Sequence, residues 1–237
     1  MIAISAQDFH IPHQDEAAIQ LLLKFIKYIK PKYIFLGELV DAYSLSSFDK
    51  NPNRLNTLQE EFDQAVLLLK RIRKVAKNSR IIMLESNHDY RLERYLKSKA
   101  IALHSLRSLT IPEQLHLREL DIHYTSEYVL QDVLFKHGDS AGVNPAHTSY
   151  MKEKMNVVIG HTHRSAIKYI NTRKGLEWSV AHGCLCDIEA VATEFIKGFP
   201  NWSQGFAVIE YRDNVSYPNL ITIQDRSFSY GSKIFTV

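Results

Sequence analysis

The sequence predicts an α/β domain in which two β-sheets pack face to face with helices on their outer surfaces. Three observations predict it. Over the first ~85 residues, short apolar runs of β type alternate with amphipathic helical runs, the pattern of parallel strands joined by helical crossovers. After about residue 110 the chain becomes a succession of strand-like runs broken by one amphipathic helix. Finally, 237 residues with 45% hydrophobic side chains supply a large core, and no Pro/Gly/Ser-rich linker or fixed-period repeat divides them, so residues 1–237 are expected to form a single domain.

The elements follow in order. "IAIS" from Ile2 is a short buried strand. "DEAAIQLLLKFIKYIK" places Gln20, Lys24 and Lys27 near a 3.6-residue period and stops before Pro31, so it is an amphipathic helix. "KYIFLG" is the second strand. "TLQEEFDQAVLLLKRIRKVAKN" aligns Leu58, Phe62, Ala65, Leu69, Ile72 and Ala76 on one face of a long helix with a basic C-terminal end. "RIIML" is the third strand, and a helical stretch is expected over residues 90–109. Strands follow at "DIHYT", "DVLFKHG", "NVVIGHTH", "AIKYIN", "LEWSVAHG", "QGFAVIEY" and "YPNLITIQD", with one helix near residues 146–155.

The bulk numbers exclude several classes. A formal charge of +3 gives little reason to expect a polyanion-binding protein. Cys184 and Cys186 form a C-x-C pair, which is no disulfide framework. They are read as reduced, buried thiols rather than a metal site, because thiolate sites usually need more ligands. No run approaches the ~20 apolar residues of a membrane helix. "MIAISAQDFH" lacks the features of an export leader, so a cytoplasmic protein without membrane partners is expected.

The C-terminal ends of the apolar runs carry a different signal. "IAISAQ" is followed by Asp8 and His10, and "YIFL" by Gly37, Glu38 and Asp41. "IIML" is followed by Asn87, His88 and Asp89, "VLFK" by His137 and Asp139, and "VVI" by Gly160, His161 and His163. Sites in open α/β sheets form at the carboxyl ends of strands. Carboxylate, imidazole and amide oxygen together suit borderline-to-hard divalent ions: manganese first, with iron, zinc, nickel and magnesium as alternatives. This many ligands exceeds the need of one ion and fits two sharing a carboxylate. Such a pair stabilises both oxygens of an in-line displacement at phosphorus.

In their order, "DFH", "GELVD", "SNHD", "HGD" and "GHTH" resemble the motifs of the calcineurin-like metallophosphoesterases, and "HGCLCD" and "PNWSQGFAVI" are similar to the tail of phosphoesterases of phages and prophages. The resemblance spans Asp8 to His163. It implies a four-layer α/β/β/α sandwich. It also implies that Asp8, His10 and His163 hold one ion, that Asn87, His137 and His161 hold the other, and that Glu38 bridges them. By the same resemblance His88 is the catalytic acid or phosphate-stabilising group, Asp89 orients it, and Asp41 supports the loop from behind. The implied reaction is hydrolysis of a phosphodiester by a metal-bridging hydroxide.

Two positions depart from the family pattern: Glu38 stands where Asp is usual, and Ser86 where Gly is usual, at a site where a positive φ would strain it. Arg91 and Arg94 follow the "SNHD" block and are read as contacts to an anionic substrate, as are Tyr43, Phe48 and Arg54 in the loop after Glu38, against the plain reading of a surface loop packed by Tyr43 and Phe48. DNA, RNA or a nucleotide is the expected partner. The alternatives are a phosphomonoesterase, against whose phosphoprotein branch Ala42 counts because that branch carries Arg there, and a non-catalytic nucleic-acid-binding protein. His104, His116, His123, His147 and His182 are read as structural or surface residues, while His13 lies close to the metal loop. The oligomeric state stays open.

Overall fold

A computed structural model describes residues 1–47, 49–139, 142–195 and 198–237. β1 (Ile2–Gln7), β2 (Tyr33–Gly37) and β3 (Arg80–Leu84) alternate with α1 (Glu16–Ile29) and α2 (Leu58–Val75). After α3 (Asp89–Lys99) and the one-turn helix α4 (Ile111–Gln114) come β4 (Ile122–Thr125), β5 (Glu127–Leu130), β6 (Val133–Lys136), α5 (Pro145–Glu153) and β7 (Asn156–Ile159). The remainder is β8 (Ala166–Thr172), β9 (Gly175–Ala181), α6 (Ile188–Phe195), β10 (Gln204–Arg212), β11 (Val215–Ile223), β12 (Ser227–Tyr230) and β13 (Lys233–Thr236).

One sheet has six strands in the order β11-β10-β1-β2-β3-β4, and a second has five in the order β5-β6-β7-β9-β8. β1 to β4 run parallel and β10 and β11 antiparallel. The period-two alternation of the strands sorts their side chains into two cores. Ala3, Phe35, Ile82, Leu84 and Ile209 point to the other sheet, where they meet Val133, Phe135, Val158, Trp178 and Val180. Phe35 stacks on Phe135 with ring centroids 3.8 Å apart. Their neighbours Ile4, Ile34, Leu36, Ile81, Met83 and Val208 point the other way, onto Leu22, Phe25 and Ile26 of α1 and Phe62, Ala65 and Leu69 of α2. On the outside of the five-stranded sheet, Leu134, Val157 and Ile159 pack on Ala146 of α5. The result is the four-layer α/β/β/α sandwich.

Both long helices carry local start signals. Asp15 accepts a hydrogen bond from the Ala18 N–H at 2.9 Å, and Thr57 with Glu60 forms a reciprocal capping box at the head of α2.

The sequence reading needs four corrections. The helix expected over residues 90–109 ends at Lys99. Residues 101–109 form only isolated 3-10 turns because their apolar side chains are largely exposed and have no face to bury. β5 is an additional strand, an antiparallel partner of β6 that crosses Tyr128 towards Phe35. α6 was hidden between strand-like runs, although Asp187 caps it by accepting from the Ala190 N–H at 3.1 Å. The β12–β13 hairpin also escaped the reading. It folds Phe228 and Phe235 onto Phe25, with centroids 5.4 and 5.3 Å away.

Candidate metal centre

The strand ends converge on one rim of the sandwich. β1, β2 and β3 of the six-stranded sheet lead into Asp8, Glu38 and Asn87; β6 and β7 of the other sheet lead into His137 and His161. The backbone there is unusual. Asp8, His10, Glu38, His161 and His163 all have positive φ, between 45° and 67°. Left-handed backbone costs a non-glycine residue roughly 1–2 kcal/mol, and it persists where the surroundings hold it, commonly at functional sites. Gly160 is required by proximity, since a Cβ there would strike the Asp8 carboxylate. Asp8 in turn receives the His161 N–H at 3.0 Å, which ties β1 of one sheet to β7 of the other.

Two groupings of ligand atoms result. Asp8, His10, Glu38 and His163 present theirs within 4.8 Å of one another, and so do Glu38, His137 and His161. Glu38 belongs to both: its Oε1 is 2.8 Å from His10 Nε2 and its Oε2 is 2.8 Å from His137 Nε2. The longer side chain therefore still reaches both sides. Asn87 Oδ1 joins the second grouping, 3.0 Å from His137 Nε2.

The imidazoles are oriented from behind. His10 Nδ1 faces Asp41 Oδ1 at 3.4 Å, which turns its Nε2 inward, 3.0 Å from His163 Nε2. His137 Nδ1 faces Gln7 Oε1 at 3.0 Å, which turns its Nε2 inward as well. Gln7 donates to Ser5 Oγ at 3.1 Å, Ser5 lies 3.0 Å from His182 Nε2, and His182 Nδ1 donates to the Gly183 carbonyl at 2.8 Å. This buried relay fixes the orientation of the His137 ring from behind.

The donor set fits divalent ions. Burial alone would raise the Glu38 carboxyl, but the charges of His88, His10 and His137 hold it well below the usual range. Asp8 is likewise held low against burial by the hydrogen bond and charge of His163. The converse applies to His10 and His137, raised by Glu38 despite burial. His163 Nδ1 is buried without a hydrogen-bond partner. Carboxylates and imidazoles whose ligand atoms crowd within 4.8 Å of one another in one buried space suit a divalent ion between them.

Other expected residues are placed differently. His88 is buried; its Nδ1 lies 3.1 Å from Asp41 Oδ1 and its Nε2 accepts from Arg91 at 2.7 Å. Burial keeps this ring below the ordinary histidine range. Asp41, not Asp89, therefore orients His88. Although burial pushes Asp41 up, hydrogen bonds from His10 and His88 hold it well below the carboxylate range. Asp89 turns away: its Oδ2 accepts from the Ser86 N–H at 2.9 Å, its own N–H donates to Ser86 Oγ at 3.2 Å, and burial lifts its carboxyl to about 7. Ser86 is not in the left-handed region, so the strain anticipated there does not arise, and its hydroxyl serves as a cap.

Arg91 is buried and donates to the Asp41 carbonyl at 2.5 Å besides His88. Arg94 is exposed on the outer side of α3, with Tyr90 and Lys97. Tyr43 is buried, donating to the Asp49 carbonyl at 3.2 Å and accepting from the Asn51 N–H at 2.6 Å. Arg54 lies 4.1 Å above the Tyr43 ring and 2.7 Å from Asp41 Oδ2. Both hold the loop together rather than projecting from it, because the buried Asp41 and Glu61 carboxylates draw the guanidinium inward. Phe48 lies outside the described residues. Sequence reasoning missed Gln7, Glu61, Trp202 and Cys186. Trp202 sets its ring edge-on to His163 at 4.3 Å. Only the polar Gln7 at the end of an apolar strand was a visible signal.

No family model matches the chain. Two curated relatives span it almost end to end. The Gene 54 protein of Mycobacterium phage L5 and the Gene 54 protein of Mycobacterium phage D29 are each 26% identical to it, over 256 and 253 residues. Each alignment covers 97% of this chain and 96% of the relative. Among solved structures, a single mutant of Vps29 from Entamoeba histolytica superposes with a TM-score of 0.51 at 14% identity, covering 97% of this chain and 96% of that one. The chain thus shares the fold of Vps29 and has phage-encoded relatives.

Proposed function

We infer that the protein is a metal-dependent phosphoric ester hydrolase acting on phosphodiesters of a nucleic acid or nucleotide. The observation that carries the reading is the Glu38 carboxylate, shared by two groupings of ligand atoms on one rim. Asp8, His10, Glu38 and His163 would hold one divalent ion; Glu38, Asn87, His137 and His161 would hold the second. Such a pair supplies an activated water and neutralises charge developing at phosphorus.

The chain's own residues do the rest. Asp41 fixes His10 and His88 at once. His88 keeps its Nδ1 on that carboxylate and its Nε2 beside Arg91, 3.7 Å from Glu38 Oε1. The imidazole and guanidinium are thus placed to exchange their mutual hydrogen bond for one to a phosphoryl or leaving oxygen. Neither departure from the family pattern argues for a dead site, since Glu38 reaches both groupings and Ser86 is unstrained. On this reading the enzyme, like its phage-encoded relatives a product made inside a host, would meet its substrate in the cytoplasm of a host cell.

The test is to load purified protein with divalent metal and compare a bis-nitrophenyl diester, the monoester and labelled DNA and RNA. Diester and nucleic-acid cleavage lost in His88→Ala is expected. Preference for the monoester would replace this reading with a phosphatase. Nucleic-acid binding without turnover at full metal occupancy would replace it with a binding protein.

A further inference from the structure

The C-x-C pair is free and buried, as the sequence suggested, but its two sulfurs differ in what surrounds them. The Cys184 thiol donates to the Ser203 carbonyl at 3.6 Å, and the two cysteine side chains hydrogen-bond each other. The Cys186 sulfur also lies within 4.8 Å of a ring nitrogen of His10 and of a ring nitrogen of His163, and these three form a grouping of their own. We propose that Cys186 is a thiolate ligand to the ion held by His10 and His163. The proposal rests on the dinuclear reading above and specifies the chemistry of one of its two positions.

Backbone stitching fixes the sulfur against both imidazoles. The Leu185 N–H donates to the Asp8 carbonyl at 2.9 Å, the Asp187 N–H to His13 O at 2.7 Å, and the Asp15 N–H to Leu185 O at 2.9 Å. The segment bearing Cys186 is therefore laced to the loop bearing Asp8 and His10. It is laced to His163 as well: the Ser203 N–H donates to His163 O and the Cys184 N–H to Ser203 O, both at 2.9 Å. The His163 Nδ1 atom is buried and has no hydrogen-bond partner.

The bland reading is a small hydrophobe packed with Val191 and Trp202. It explains burial but not why the sulfur stands in ligand space. Zinc-type ions bind sulfur at about 2.3 Å and imidazole nitrogen at about 2.0–2.1 Å. Two imidazole nitrogens on a tetrahedral ion then lie roughly 3.3 Å apart, so the His10–His163 pair at 3.0 Å needs to open by only a few tenths of an ångström. The apolar packing around Cys186 keeps water from competing for the ion. On binding, the thiol proton leaves to solvent and the sulfur's electron pair goes to the metal.

A thiolate shifts selection away from manganese and magnesium towards zinc, cobalt and ferrous iron. The position built from Asn87, His137 and His161 has no sulfur, so the two positions would differ in preference.

Cobalt(II) titration of the metal-free protein tests this. Bound cobalt should show visible ligand-field bands and a near-ultraviolet sulfur-to-cobalt charge-transfer band. That band should persist in Cys184→Ser and vanish in Cys186→Ser and Cys186→Ala while the ligand-field bands remain. In competition, Cys186→Ser should lose at least about tenfold of the preference for zinc over manganese. Stoichiometric cobalt without the charge-transfer band in the wild-type protein, which needs no variant to fold, overturns the proposal and leaves the dinuclear reading standing. So does a band that survives Cys186→Ser. No cobalt uptake at all overturns both.

Discussion

Glu38 is the residue on which the candidate centre turns, since one carboxylate sits 2.8 Å from an imidazole of each grouping. Glu38→Ala is expected to reduce bound metal from two ions per chain towards none, measured by elemental analysis, whereas Asn87→Ala should cost only one. Gln7 acts one step back. Removing it in Gln7→Ala frees His137 to turn, and a roughly 10–100-fold weaker affinity is expected for the second ion alone. Glu61 gives a pH signature. Burial, with the charge of Asp41, lifts its carboxyl to about 7 from an ordinary 4.5, despite the Ala42 N–H and Arg54. Between those values the folded chain binds a proton that the unfolded chain has lost, so stability falls as pH rises through the window. Glu61→Gln keeps an acceptor for the Ala42 N–H and removes the titration. Denaturant unfolding should show the variant gaining roughly 2–3 kcal/mol relative to wild type between pH 5 and pH 8. A gain that does not change with pH would refute this.

Elements that bury one regular face were legible; those that do not were not. α1 and α2 announce themselves by spacing and caps, and β1 to β3 by apolar runs. α3 was read ten residues too long because Ile101, Leu103, Leu106 and Leu109 mimic a periodic face that in the fold stays largely exposed. β12 and β13 are four residues each and owe their existence to Phe25 on a helix two hundred residues earlier, which no local window contains. That dependence is measurable. Phe25→Ala removes the ring that Phe206, Phe228 and Phe235 surround, and a loss of about 3–5 kcal/mol is expected from chemical denaturation, with hydrogen exchange accelerated in the β12–β13 hairpin ahead of the sheets.

At the scale of the molecule, the convergence of the five motif blocks on one rim was readable from sequence because each lies at a strand end. Its support was unreadable. Which polar group stands behind an imidazole depends on how the sheets face each other, so Asp41 took the place expected of Asp89, and Gln7 and Cys186 came forward from segments that looked structural. If ions bind only the folded chain, chelation must lower its stability. Each ion at a hundredfold excess over its dissociation constant contributes about 2.7 kcal/mol, so thermal unfolding with and without chelator should separate clearly.

Each grouping also draws atoms from both sheets: Asp8, Glu38 and Asn87 come from one, His137, His161 and His163 from the other. The seam between the layers is therefore a ruler that sets how far apart the two groupings stand. Thinning the Phe35–Phe135 stack, though it touches no ligand atom, would let that ruler slip, and turnover would respond to a substitution made purely in hydrocarbon.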